Sequence, residues 1–160
     1  MTYWKSYRTV GTGILAGAAG GFAEILWISL YAAVTGSNAA SVAQGITTAA
    51  GVSALLPASP ALIGIVTHMA LAVTLGIGLA FAWRAVSAHR PYGASPYALS
   101  VPALVVVWAV NFFVLLPIIS PAFVHVAPYS VSLLSKLLFG LAAAEVLRRS
   151  ARMQVSAPAF

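Results

Sequence analysis

Residues 132–147 read SLLSKLLFGLAAAEVL, an apolar run of membrane-helix character with Lys136 set about one and a half turns inside it. A lysine at that depth costs about 2.5–3.5 kcal/mol on insertion scales, so the fold must offset it. The segment therefore poses two questions, namely what else crosses with it and what its lysine meets.

The chain around it has the same character. Of 160 residues 61% are hydrophobic, the mean hydropathy is +0.98, and ten side chains are formally charged. A soluble domain carries roughly a quarter charged residues, so the composition places this chain in the membrane class. Net charge is +6 and the pI is about 10.2. The basic residues flank apolar runs instead of forming a stripe with interleaved aromatics, which argues against a nucleic-acid partner. Cysteine is absent, excluding disulfides, thiolate metal sites, iron–sulfur clusters and covalently attached haem.

A membrane helix needs about 20 mostly apolar residues, and four segments qualify, at about 12–34, 60–83, 98–120 and 130–147. The expectation is an all-α integral membrane protein of four transmembrane helices in one domain, with a disordered tail over 153–160. The first segment follows Lys5 and Arg8 as a signal peptide would. It is too long for a signal core, however, and it contains Glu24. Lys5, Arg8, Arg84, Arg90, Arg148, Arg149 and Arg152 all fall on one side of such a bundle. Both termini are then cytoplasmic under the positive-inside rule. Trp4, Tyr7, Trp83, Tyr92 and Tyr97 fall near that face and Trp27, Tyr31 and Tyr129 near the other, as interfacial belts do. The uncharged outer loop 35–59 is expected to hold a short interfacial helix near 39–50, as a flexible connection or a re-entrant lid.

Every span carries one polar group: Glu24, His68, Asn111 and Lys136. Counted from the outer ends they lie roughly 10–15 Å deep at 1.5 Å per residue, within one layer. Lipid offers them no partners, so they should face the bundle interior. Helical spacing agrees in three spans, where the polar group lies on a stripe of small residues. The stripes are Gly13, Gly17, Gly21 and Glu24; Gly64, His68, Ala72, Gly76 and Ala80; and Ser132, Lys136, Gly140 and Ala144. Small residues at every fourth position let membrane helices approach closely. Span three differs, with bulky neighbours around Asn111 and with Pro117 placed to kink it and free a carbonyl. Because the small residues lie on the cytoplasmic side of the layer, the inner half should be closed and a polar chamber should open outward.

Two readings account for Lys136. It pairs with Glu24, the sole acidic side chain at its depth, or its stem snorkels to the outer headgroups. His68 has the chemistry for proton relay or metal ligation, and otherwise hydrogen-bonds Asn111 or Ser135. Glu145 should pair with Arg148 and Arg149 one turn on. His89 belongs in a solvated loop, and His125 is placed to cap the chamber or ligate a metal.

HMALAVTLG (68–76) sets beside KLLFGLAAA (136–144), with small residues four and eight positions after the polar one. This suggests a 2+2 parallel repeat about an axis normal to the membrane. On GIVTHMALAVTLGIGLAFAW (64–83) and LLSKLLFGLAAAEVL (133–147), the chain resembles the small four-helix bacterial inner-membrane proteins of the YagU type. The resemblance implies an inner-membrane setting and a histidine in both even-numbered helices. His68 fills the first of those places and Lys136 stands at the second.

No nucleophile elbow, Walker loop, zinc-protease motif or dinucleotide fingerprint occurs, so enzyme activity is not expected, nor a cofactor or bound metal. Two functions remain. One is an accessory or structural subunit whose polar layer fixes helix packing, with the lipid bilayer, a homodimer or a larger membrane complex as partners. The other is a small ion- or proton-linked transporter or channel, dimeric in order to enclose enough volume, with Glu24, His68 and Lys136 as relay.

Overall fold

The computed structural model describes residues 2–52, 54, 59–89, 95–126 and 128–155, without the side chains of 2–5, 125, 154 and 155. Arg90, Tyr92, the His125 side chain and the tail from 156 therefore lie outside the described residues. Among those described there are helices and no strands. Helix α1 runs Thr2–Thr35, α2 Ala39–Ala49, α3 Pro60–His89 and α4 Pro96–Val110. A π-turn at Asn111–Leu115, α5 at Leu116–Ile119 and a 3-10 turn at Pro121–His125 lead to α6, Tyr129–Val155. Four stretches are long and apolar enough to cross a membrane: Ser6–Thr35, Pro60–His89, Pro96–Ile119 and Tyr129–Met153. The last two residues of the tail expected over 153–160 that are described, Gln154 and Val155, continue α6 as helix, as does Met153.

In lipid each backbone N–H and C=O must bond within its own segment, which keeps α1 helical through five glycines. Apolar burial supplies little driving force between membrane helices, so close packing must hold them together. The glycines make that packing. A Cβ at Gly17 would collide with the Ala72 carbonyl and Val73, one at Gly76 with the Gly17 backbone, and one at Gly13 with Ile77. The α1 and α3 backbones therefore touch along the small-residue stripes of both. Gly21 meets Ala72 and Met69, while Gly20, one position off the stripe, receives the Phe139 ring of α6. Gly140 lies against the α4 backbone at Ser100 and Val101, and Ala144 is fully buried. Gly64 is different: a Cβ there would strike the Ala43 carbonyl and Thr47, so it seats α2 and not another span.

These contacts set the neighbour order α3–α1–α6–α4, with α3 and α4 scarcely meeting. The four spans form a crescent. At the end holding both termini the crescent is closed by one buried cluster, drawn from Ala16 of α1, Leu79 and Ala80 of α3, Leu104 of α4, and Phe139, Ala143 and Leu147 of α6. Arg84 donates to the Thr9 hydroxyl at 3.3 Å, and Tyr97 donates to Glu145, which also takes Arg148 and Arg149 at 2.7 and 2.6 Å. This end also collects Arg8, Arg84, Arg148, Arg149 and Arg152.

The opposite end is built from turns. Gly36 and Gly51 adopt φ +69 and +70, left-handed values that favour glycine, and they close α1 and α2. Asn38 caps α2, its side chain accepting from the Ala40 N–H at 2.9 Å. Helix α2 lies along α3 and reaches the 3-10 turn, where Phe123 fills the space beside Gly45. Thr47 fixes it there by donating to the Pro60 carbonyl at 2.7 Å.

Candidate functional site

Glu24, His68, Asn111 and Lys136 come from four different helices and line one cavity. Three of them also meet directly. Glu24, 3% exposed, lies between α3 and α6 and uses its two oxygens differently. Oε1 accepts from Lys136 Nζ at 2.5 Å and from the Ser135 hydroxyl at 2.8 Å. Oε2 faces His68 Nε2 at 3.5 Å, and that nitrogen is buried without a hydrogen bond among the described residues. The Lys136 ammonium thus turns inward to Glu24, not up toward headgroups, because the deepest acceptor in the bundle is within its reach.

The hydrogen bond expected from His68 to Asn111 or Ser135 does not form. Glu24 stands between α3 and α6 and takes the Ser135 hydroxyl itself. Asn111 makes no side-chain hydrogen bond among the described residues. It opens the π-turn, its carbonyl accepting from the Leu116 N–H in the wide i,i+5 pattern. Such turns occur within longer helices and often at functional positions. Pro117, which has no N–H to give, follows immediately, and Pro102 sits earlier in the same span.

The aromatic residues near this end tie the helices around the site together. Trp27 donates to the Val131 carbonyl at 3.0 Å, tying α1 to α6. Trp108 donates to the Ser132 hydroxyl at 3.0 Å and packs with Phe112, Phe113 and Tyr129. That cluster holds the π-turn beside α6. Trp83, at the other end, packs on the buried core.

The cavity has a volume of about 830 Å³. The charged cluster with Asn111, Ser132 and Ser135 forms a polar belt part-way along it, and its walls are mainly apolar side chains of α1, α3 and the third span that continue past the belt to Leu75 and Phe139. One face of α2 lies across its far end, presenting Ala39, Ala43, Ile46 and Ala50. The expected outward-opening polar chamber is therefore roofed by an apolar helix face. Access lies instead at the gap in the crescent, where Leu71 of α3 and Ile119 of α5 both line the cavity and remain 61% and 57% exposed. The cause is the neighbour order: α3 and α4 occupy the two ends of the crescent and diverge beyond the buried cluster.

No group of three metal-ligating side chains occurs among the described residues. Sequence reading singled out Ser135 for His68 and did not foresee its bond to Glu24, the Trp108–Ser132 bond or the Tyr97–Glu145 bond. Hydroxyl and ring partners of this kind carry no periodic signal.

Fold and site together define a small multi-pass membrane protein with a charged cluster lining a cavity between its helices. No protein-family model, curated protein or solved structure matches the chain.

Proposed function

We propose that this protein is a small proton-linked membrane transporter in which Glu24, His68 and Lys136 form the relay. One observation carries this reading: the three ionisable groups line a cavity of about 830 Å³ instead of being sealed in the helix contacts. Intramembrane ionisable residues on a cavity commonly mark a proton or substrate path. His68 is the exchangeable member. As imidazolium its Nε2, 3.5 Å from Glu24 Oε2, is a donor aimed at that oxygen. The carboxylate then has donors on both oxygens, and its hold on Lys136 weakens. By the distribution of Arg and Lys the closed end is cytoplasmic, in a bacterial inner membrane as the YagU-type resemblance implies.

The test is proton movement in liposomes that include total lipid from the expressing cells, so that a lipid-borne cargo is present. An imposed pH gradient, acid outside, should acidify the lumen of wild-type vesicles, and His68→Ala should abolish this while keeping its helicity and elution volume. Flux unchanged in that variant would overturn the relay. The open side of the crescent favours a second reading, an accessory subunit that seats a partner helix between α3 and α4. There, His68→Ala would lose the partner on gentle extraction and leave proton movement untouched.

A further inference from the structure

The geometry points to the cargo: a single-chain amphiphile with an anionic head, a carboxylate or phosphate monoester, that enters sideways between α3 and the third span and brings a proton with it. This rests on the transport reading above and names what that site carries. Three features of the cavity select the class. First, the gap faces the lipid and not the loops, since α2 covers the loop end while Leu71 and Ile119 stand exposed at the mouth. A water-borne anion would gain nothing from such a mouth, whereas a molecule already in the bilayer meets it directly. Second, the walls are apolar apart from one belt of polar groups at the level of His68, with Ser29 and Thr74 outside it, the division that an apolar chain with one polar head matches. The volume lies within the roughly 300–1,000 Å³ of small-molecule sites, room for one chain.

Third, the charge balance selects the head. Glu24 from α1 and Lys136 from α6 are the charged groups facing His68. Span three offers the uncharged Asn111, and α2 lines the cavity with no titratable side chain. With His68 neutral, the cluster sums to zero. Protonated, it carries one net positive charge inside the membrane, which is costly unless it is met by an anion. A carboxylate or phosphate head on Lys136, beside His68, meets it, with Asn111 as a further donor. A cationic head would add to the charge, and a neutral head would leave it standing. Anion and proton therefore load together, and the complex is neutral again when both leave.

The experiment uses the whole chain in phosphatidylcholine nanodiscs with four photoreactive probes that share one diazirine-tipped alkyl chain. Their heads are carboxylate, phosphate, hydroxyl and trimethylammonium, and cross-linked peptides are read by mass spectrometry. The expected result is labelling of the α3 and span-three walls by the carboxylate or phosphate probe, roughly tenfold above the hydroxyl probe, the size of one charge-assisted contact. Labelling should be stronger at about pH 5 than at about pH 8, with the pH step lost in His68→Ala. Leu71→Trp, which narrows the mouth without touching the charges, should reduce labelling in a protein that still folds. If only one acidic head labels, the class narrows to that head. Labelling indifferent to the head, equal labelling of lipid-facing positions such as Leu15 and Leu30, or preference for trimethylammonium would overturn the proposal. Proton flux without selective labelling would keep transport and remove this cargo. Selective labelling without flux would keep the ligand and remove transport.

Discussion

The two halves of this bundle use the same helices for opposite ends. Toward the termini, Ala16, Leu79, Leu104, Ala143 and Leu147 close all four spans into one buried cluster. Beyond the polar layer the same spans separate, and α3 and the third span leave a gap. Small residues decide the difference. Below the layer Gly13, Gly17 and Gly76 bring α1 and α3 into backbone contact. Above it, the third span offers Trp108, Phe112 and Phe113, which pack toward Tyr129 of α6 and not toward α3. In a solvent as apolar as the side chains, helices meet where backbone can approach and stay apart where it cannot. The polar layer lies at the boundary, so Glu24, His68 and Lys136 are held by one half and opened by the other.

The strongest test of this contrast is Lys136→Ala. It leaves the Glu24 carboxylate buried without its cation, an arrangement that costs about 3–5 kcal/mol. Thermal unfolding in detergent should show the loss, and Glu24→Gln/Lys136→Ala together should recover much of it. A double variant no more stable than the single one would mean that the pair does not hold α1 to α6. Next comes Gly76→Val. Overpacking a tight contact costs about 1–3 kcal/mol, whereas Gly78→Val, where a Cβ meets nothing within 4 Å, should stay within about 0.5 kcal/mol. Equal effects at the two glycines would remove the closed half as the source of stability.

What the sequence made legible divides along the same line. Four spans, their outer ends and the depth of the polar layer follow from hydropathy and counting, since rise per residue is fixed. At the terminal end of the bundle the helices run on beyond the apolar spans. Helix α1 starts at Thr2, α3 runs to His89 and α6 to Val155, because a helix continues past the last apolar residue where its backbone is still satisfied. The stripes at Gly17, Ala72 and Gly76 showed which faces pack. They could not show that α1's stripe meets α3 while Gly20, off the stripe, meets α6. Periodicity identifies a face without its partner, so neither the neighbour order nor the sideways gap could be read. Glu24 and Lys136 were visible as the two opposite charges at one depth. That Ser135 joins them is a matter of rotamer and distance.

The boundary half also sorts its own residues. Trp108→Phe removes one hydrogen bond to Ser132 and keeps the ring packing, so it should cost about 0.5–1.5 kcal/mol. Loss of a larger amount would show that the aromatic cluster depends on that bond for its place against α6. The smallest effect on stability belongs to Asn111→Leu. The π-turn is closed by the Asn111 carbonyl and the Leu116 N–H, neither of which the substitution touches, and the side chain makes no hydrogen bond to lose. Stability should therefore stay within about 0.5 kcal/mol, measured by the same unfolding assay, while proton movement in liposomes falls because a polar group has left the cavity wall. A large stability loss would place Asn111 in the packing with Gly17 and Gly76. An unchanged flux would take it out of the site, leaving the relay to Glu24, His68 and Lys136 alone.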